Sequence, residues 1–182
     1  MELKPLNPHK TLNKAFRKLK TNRTDIERFK ENLIQLLNHT NDAESEEHHK
    51  NLVSDFLKKT YYEPNHFINT KGRNDLVIHN GKDAKSTVGV IIETKSTTNK
   101  AEMLSKSKIN TKAFHELILY YLRERETLKN LEVKQLIVTN VYEWFLFDAT
   151  QFEKFFAQNK TLVKSFTDFE QQRLSGTKTD FF

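Results

Sequence analysis

The apolar run Val88-Gly89-Val90-Ile91-Ile92 breaks off into Glu93-Thr94-Lys95, and this change constrains the chain more than any other feature. A short stretch rich in Val and Ile reads as a β-strand. Side chains alternate along a strand, so Glu93 and Lys95 point to one face and Thr94 to the other. The end of an apolar strand is a costly place for two charges on one face, because ions taken out of water need partners. Upstream, Asp75 precedes Leu76-Val77-Ile78 in the same manner. Where the two strands adjoin, Asp75 stands beside Glu93, and the pair makes a carboxylate site for a hard cation such as Mg²⁺.

The periodicity on either side supplies the frame. Asn7-Pro8 predicts a helix start, with the helix running to about Leu19 and Leu12, Ala15, Phe16 and Leu19 on its inner side. Thr24-Asp25-Ile26-Glu27 has the form of a capping box and opens the stripe Ile26, Phe29, Leu33, Leu36 and Leu37. A third helix is predicted over residues 45–59, burying Leu52, Val53, Phe56 and Leu57. The period then shortens at residues 66–70, 75–79 and 88–94, which read as consecutive strands in an antiparallel meander with turns such as Asn80-Gly81.

A polar loop over 95–108 leads to a helix over about 110–128, whose core side holds Phe114, Leu117, Ile118, Tyr121 and Leu122. Strands over 136–139 and 144–147 follow, then two short helices from Gln151. Trp144, Phe145 and Phe147 read as core strand residues rather than a base-stacking platform. This order predicts an α/β fold in which a mixed sheet is flanked by helices. It divides into an amino-terminal helical segment over 1–42 packed on the core, a core over 43–150, and carboxy-terminal helices over 151–182.

Composition narrows the function. With 182 residues and 14 Phe the chain can build one compact core although 30% of it is charged. A net charge of +6, spread through every segment, suits a polyanionic partner. The absence of Cys excludes disulfides and thiolate metal sites. No apolar run approaches a membrane span and no signal peptide opens the chain, so the expectation is a cytoplasmic protein without a membrane partner. No Gly-rich phosphate loop or nucleophile elbow is present.

The three charged residues supply the parts that phosphodiester hydrolysis needs. Asp75 and Glu93 can hold a metal that neutralises the scissile phosphate, and the Lys95 ammonium can orient a water. Asp75, then 17 intervening residues, then Glu93-Thr94-Lys95 resembles the PD-(D/E)XK nuclease superfamily, with Asn74 where that motif is named for Pro. The resemblance implies a restriction-endonuclease-like α-β-β-β-α-β core, with Asp75, Glu93 and Lys95 catalytic and Mg²⁺ as the cofactor, for which Mn²⁺ can substitute.

Ser45-Glu46-Glu47-His48, Asp55-Phe56-Leu57-Lys58, Asn69-Thr70-Lys71 and His115-Glu116-Leu117 resemble the amino-terminal nuclease domain of fused type II restriction-modification enzymes. That likeness implies double-stranded DNA as substrate and a downstream methyltransferase and target-recognition region in the same polypeptide. It also implies transient dimerisation for double-strand cleavage. A non-catalytic DNA-binding or docking module, and a repair or recombination nuclease, are the alternatives.

The superfamily often adds an acid from the first core helix to the metal site. Glu46 and Glu47 compete for that role: Glu46 lies in line with Val53 and Leu57, whereas Glu47 falls nearly opposite the apolar stripe. The later helix carries Glu116-x-x-x-Tyr120 where related nucleases often have Gln-x-x-x-Tyr. Lys71, Arg73, Lys106, Lys108, Lys112, His115 and Tyr120 are the candidates for DNA contact. His48 and His49 adjoin Glu46 and Glu47, but neighbours on a helix diverge, so they make no zinc pair.

Overall fold

The computed structural model describes residues 5–71 and 74–171. Five strands, β1 (Ile68–Lys71), β2 (Asn74–His79), β3 (Val88–Thr94), β4 (Gln135–Thr139) and β5 (Trp144–Asp148), lie side by side in that order. β1, β2 and β3 form the antiparallel meander, β4 runs parallel to β3, and β5 returns antiparallel to β4. The sheet is therefore mixed, and the parallel step requires a crossover, which a helix supplies. The helices are α1 (Pro8–Thr11), α2 (Arg23–His39), α3 (Glu46–Leu57), α4 (Lys112–Leu122), α5 (Ala149–Phe152) and α6 (Lys160–Glu170). No helix among the described residues is long and apolar enough to cross a membrane.

Alternation divides the sheet residues between two cores. Val77, Ile91, Leu136 and Val138 join α4, α5 and α6 on one side, where Phe145 and Phe147 also pack. Leu76, Ile78, Ile92 and Ile137 meet Leu36 of α2 and Val53, Phe56 and Leu57 of α3 on the other, with Trp144 beside them. β3 is covered on both faces, which is why its sequence is apolar almost throughout. The mixed sheet flanked by helices that periodicity predicts is the one observed.

The amino-terminal segment departs from the prediction. Asn7 caps α1, its Oδ1 accepting the His9 N–H at 2.9 Å, but the helix stops at Thr11 instead of reaching Leu19. Asn13 Oδ1 accepts the Ala15 N–H at 2.8 Å, a side-chain bond that competes with helical pairing. Only a 3₁₀ turn over Phe16–Lys18 follows. Leu12, Phe16 and Leu19 are exposed at 45, 60 and 69%, so the inner side read from their spacing covers nothing. The cap of α2 differs too: Asn22, not Thr24, accepts the Asp25 N–H at 2.7 Å, and the helix begins at Arg23. α2 then packs on α3 through the edge-on Phe29–Phe56 pair. α3 and α4 each end in a π turn, over Lys58–Tyr62 and Arg123–Thr127.

Leu117 on α4 is completely buried against the sheet. Leu117→Ala should cost about 2–5 kcal/mol, the usual range for truncating a buried Leu. Urea unfolding measures this, and a loss under about 1 kcal/mol would mean that α4 is not held by that core.

Candidate active site

The register Leu76↔Ile92 sets Asp75 across from Glu93 at the end of the β2–β3 pair. Asp75 is fixed there by its neighbour on β3. Both the backbone N–H and the hydroxyl of Thr94 donate to Asp75 Oδ2, each at 2.9 Å. Thr94, which alternation directs away from Glu93, thus serves the same end of the sheet. One residue on, the Lys95 N–H donates to the Thr139 carbonyl at 2.9 Å, extending the parallel pairing and holding the Lys95 backbone.

Glu93 and Lys95 are buried, at 1 and 3% exposure. Their charged groups meet at 2.5 Å, Lys95 Nζ on Glu93 Oε1. Two further carboxylates approach the same ammonium from different helices. Glu116 Oε2 of α4 lies at 2.9 Å and Glu46 Oε1, at the start of α3, at 3.5 Å. Ser45 caps α3 by accepting the His48 N–H, which brings Glu46 to the end of β3, where its Oε2 also accepts the Ser96 N–H at 3.4 Å. The second oxygen of Glu93, Oε2, is buried and has no hydrogen-bond partner.

This excess of acid over base governs the protons. Burial, and then the charge of Asp75, push the Glu93 carboxyl well above the usual carboxylate range, outweighing the opposing pull of Lys95. Burial disfavours the Lys95 ammonium, but the Glu93 carboxylate and the hydrogen bonds from Glu93 and Glu116 overcome it and raise its pKa. Lys95 therefore stays charged. Tyr120, one turn beyond Glu116 on α4, is buried, and burial together with the charges of Glu93, Glu116 and Asp75 holds its phenol protonated.

The cluster joins Asp75, Glu93, Lys95 and Glu46, and it leaves Glu47 out. Glu47 pairs with Lys50 instead, its side chain 64% exposed. Glu116 joins the cluster as well, although the sequence marks it only as a departure from the Gln-x-x-x-Tyr pattern. Its signal was present in the four-residue spacing to Tyr120, which places both on one helix face.

The proposed DNA contacts scatter. Lys71 is bound to the buried Glu124 at 2.8 Å, so its charge is already matched within the fold. Lys112 is held by both oxygens of Glu102 at 3.0 and 3.1 Å, and His115 pairs with Asn110. Lys106 and Lys108 are exposed on a turn closed by Ser105, with Met103, Leu104 and Ile109 anchoring it to the core. Arg73 lies outside the described residues. His48 and His49 tie the α2–α3 connection through the carbonyls of His39 and Asn41.

Among the described residues no group of three or more His, Asp or Glu side chains is arranged so that it could hold a metal ion. The donor set still suits a hard cation. It consists of carboxylate oxygens, one of them the unpartnered, buried Glu93 Oε2, and Mg²⁺ commonly binds through one or two carboxylates plus water.

Residues 6–182 match a family described as a domain of unknown function (DUF7149). The chain belongs to the DUF7149 family. No curated protein and no solved structure matches it. The cluster around Lys95 thus lies within the span by which the DUF7149 family is defined.

The Glu93 carboxyl keeps its proton in the folded protein at pH values where the unfolded chain, with a Glu pKa of about 4.3, has lost it. The native state then binds more protons than the unfolded one, so stability falls as pH rises from there toward Glu93's own raised pKa. Glu93→Gln, neutral throughout, should flatten this decline in urea melts run across pH without added metal. An unchanged slope would show that Glu93 ionises as an ordinary carboxylate.

Proposed function

We propose that this chain is a divalent-cation-dependent DNA endonuclease domain, with its active site at the carboxyl end of β3. The observation that carries the reading is the buried Glu93 beside Lys95 and across from Asp75, with one carboxylate oxygen unspent. Stability alone does not explain such a group, since buried ion pairs are seldom better than apolar replacements. Perturbed, buried ionisable groups of this kind concentrate at functional sites.

Asp75, Glu93 and Glu46 would hold Mg²⁺, which when bound neutralises the scissile phosphate and favours the leaving oxygen. Thr94 fixes Asp75 in place for that task. Lys95, kept charged by its neighbours, donates a hydrogen bond to the attacking water and offsets charge developing on the phosphate. Tyr120, protonated beside the carboxylates, is a donor and not a base. Lys106 and Lys108, exposed on their anchored turn, would contact the DNA backbone, a partner that the net charge of +6 favours. The order α3-β1-β2-β3-α4-β4 is also that of the PD-(D/E)XK nuclease core, the superfamily the Asp75…Glu93-Thr94-Lys95 pattern resembles. By the same resemblance, choice of target sequence would rest with methyltransferase and recognition parts of a longer polypeptide.

Supercoiled plasmid should be nicked or cut in the presence of Mg²⁺ or Mn²⁺, and not in excess chelator. Asp75→Ala and Lys95→Ala should each lower the rate by about 10²-fold or more, the scale of a lost catalytic group. Circular dichroism establishes that the variants fold. Activity that survives both substitutions would overturn the assignment, and a protein that binds DNA but takes up no metal would overturn it in favour of a docking module.

A further inference from the structure

An ammonium group has three N–H donors and no acceptor. Lys95 Nζ is ringed by Glu93 at 2.5 Å, Glu116 at 2.9 Å and, as a longer ion pair, Glu46 at 3.5 Å, so its close partners are all carboxyl groups. Two of those carboxylates, Glu93 and Glu46, are ones a divalent cation needs, and for them Lys95 is a competitor.

The third differs. Both oxygens of Glu116 face ammonium groups, Oε2 toward Lys95 and Oε1 toward Lys112 at 3.9 Å. Lys112 is in turn clamped by both oxygens of Glu102. Glu102 is itself fixed to Asn99, whose side chain exchanges two hydrogen bonds with it. Glu116, which also neighbours the Glu93 carboxyl, is thus turned toward two ammonium groups, while Glu93 Oε2 is bare and the Glu46 side chain is 41% exposed.

We propose that Glu116 is a positioning residue that takes the Lys95 ammonium when a divalent cation claims Glu93 and Glu46, so that cation entry and the placing of Lys95 are one coupled event. The inference rests on the reading of this cluster as a cation site. Lys95 leaves its contacts with Glu93 and Glu46 but keeps Glu116, which leaves it charged and with donors free for water and phosphate. The Lys112–Glu102 pair holds Glu116 in place for this.

A double-mutant cycle read by calorimetric titration of the full chain with Mn²⁺ tests it. Against Lys95, Glu116→Ala should weaken Mn²⁺ binding at least about threefold, within the range of direct couplings between contacting residues. Glu116→Gln, which keeps an acceptor oxygen, should recover part of the loss. In a Lys95→Gln background Glu116→Ala should have little further effect, because no ammonium remains to be drawn away. Lys95→Met serves as the second background if Lys95→Gln does not fold. An equal loss in both backgrounds would make Glu116 a direct partner of the cation and overturn the proposal, as would no loss in either. Absence of Mn²⁺ binding by the unaltered protein is a different result, since it removes the cation site and the inference with it.

Discussion

Lys95 and Glu93 meet at 2.5 Å where neither head group has access to bulk water. Burying an ion costs several kcal/mol, which the Lys95 ammonium recovers from the carboxyl groups around it, and deleting one partner of a buried ion typically costs about 3–5 kcal/mol. An apolar pair of similar volume would serve the fold as well or better. The arrangement is nonetheless embedded at the end of the best-buried strand, and two more carboxylates reach it from separate helices. A rule of core composition broken this thoroughly, with partners recruited from three elements, is what the proposed function accounts for.

The topology explains why the partners can be recruited. β3 is the strand at which the antiparallel meander becomes parallel, and its pairing with β4 demands the α4 crossover. That helix packs over β3 and brings Glu116 and Tyr120 to the strand's carboxyl end. α3 covers the opposite face, and its capped first turn delivers Glu46 to the same end. In open α/β sheets the carboxyl ends of strands are where ligands bind, and here sheet register, crossover and helix cap converge on that edge.

Much of this was legible in the sequence because it obeys short periods. The alternation Glu93-Thr94-Lys95 gives the shared face, and the apolar stretches after Asp75 and before Glu93 give the adjoining strands. Angular position along α3 favoured Glu46 over Glu47, and Glu46 is the one beside Lys95. What was hidden depends on contacts between distant segments. Glu116 looked like a departure from a motif, and only the packing of α4 on β3 gives its charge a partner. The matching of Lys71 to Glu124 spans more than fifty residues of chain and leaves no local trace. At the amino terminus the failure runs the other way. Leu12, Phe16 and Leu19 have helical spacing, but Asn13 turns the backbone locally and no core is in reach to reward the helix.

On the proposed function, the carboxylates around Lys95 form a divalent-cation site. Anomalous diffraction from crystals of the protein grown with Mn²⁺ tests it most directly. The expected result is a peak bounded by the carboxylates of Asp75 and Glu93, with Lys95 Nζ still against Glu116. A Mn²⁺ peak elsewhere, with Lys95 unmoved between Glu93 and Glu46, would contradict it.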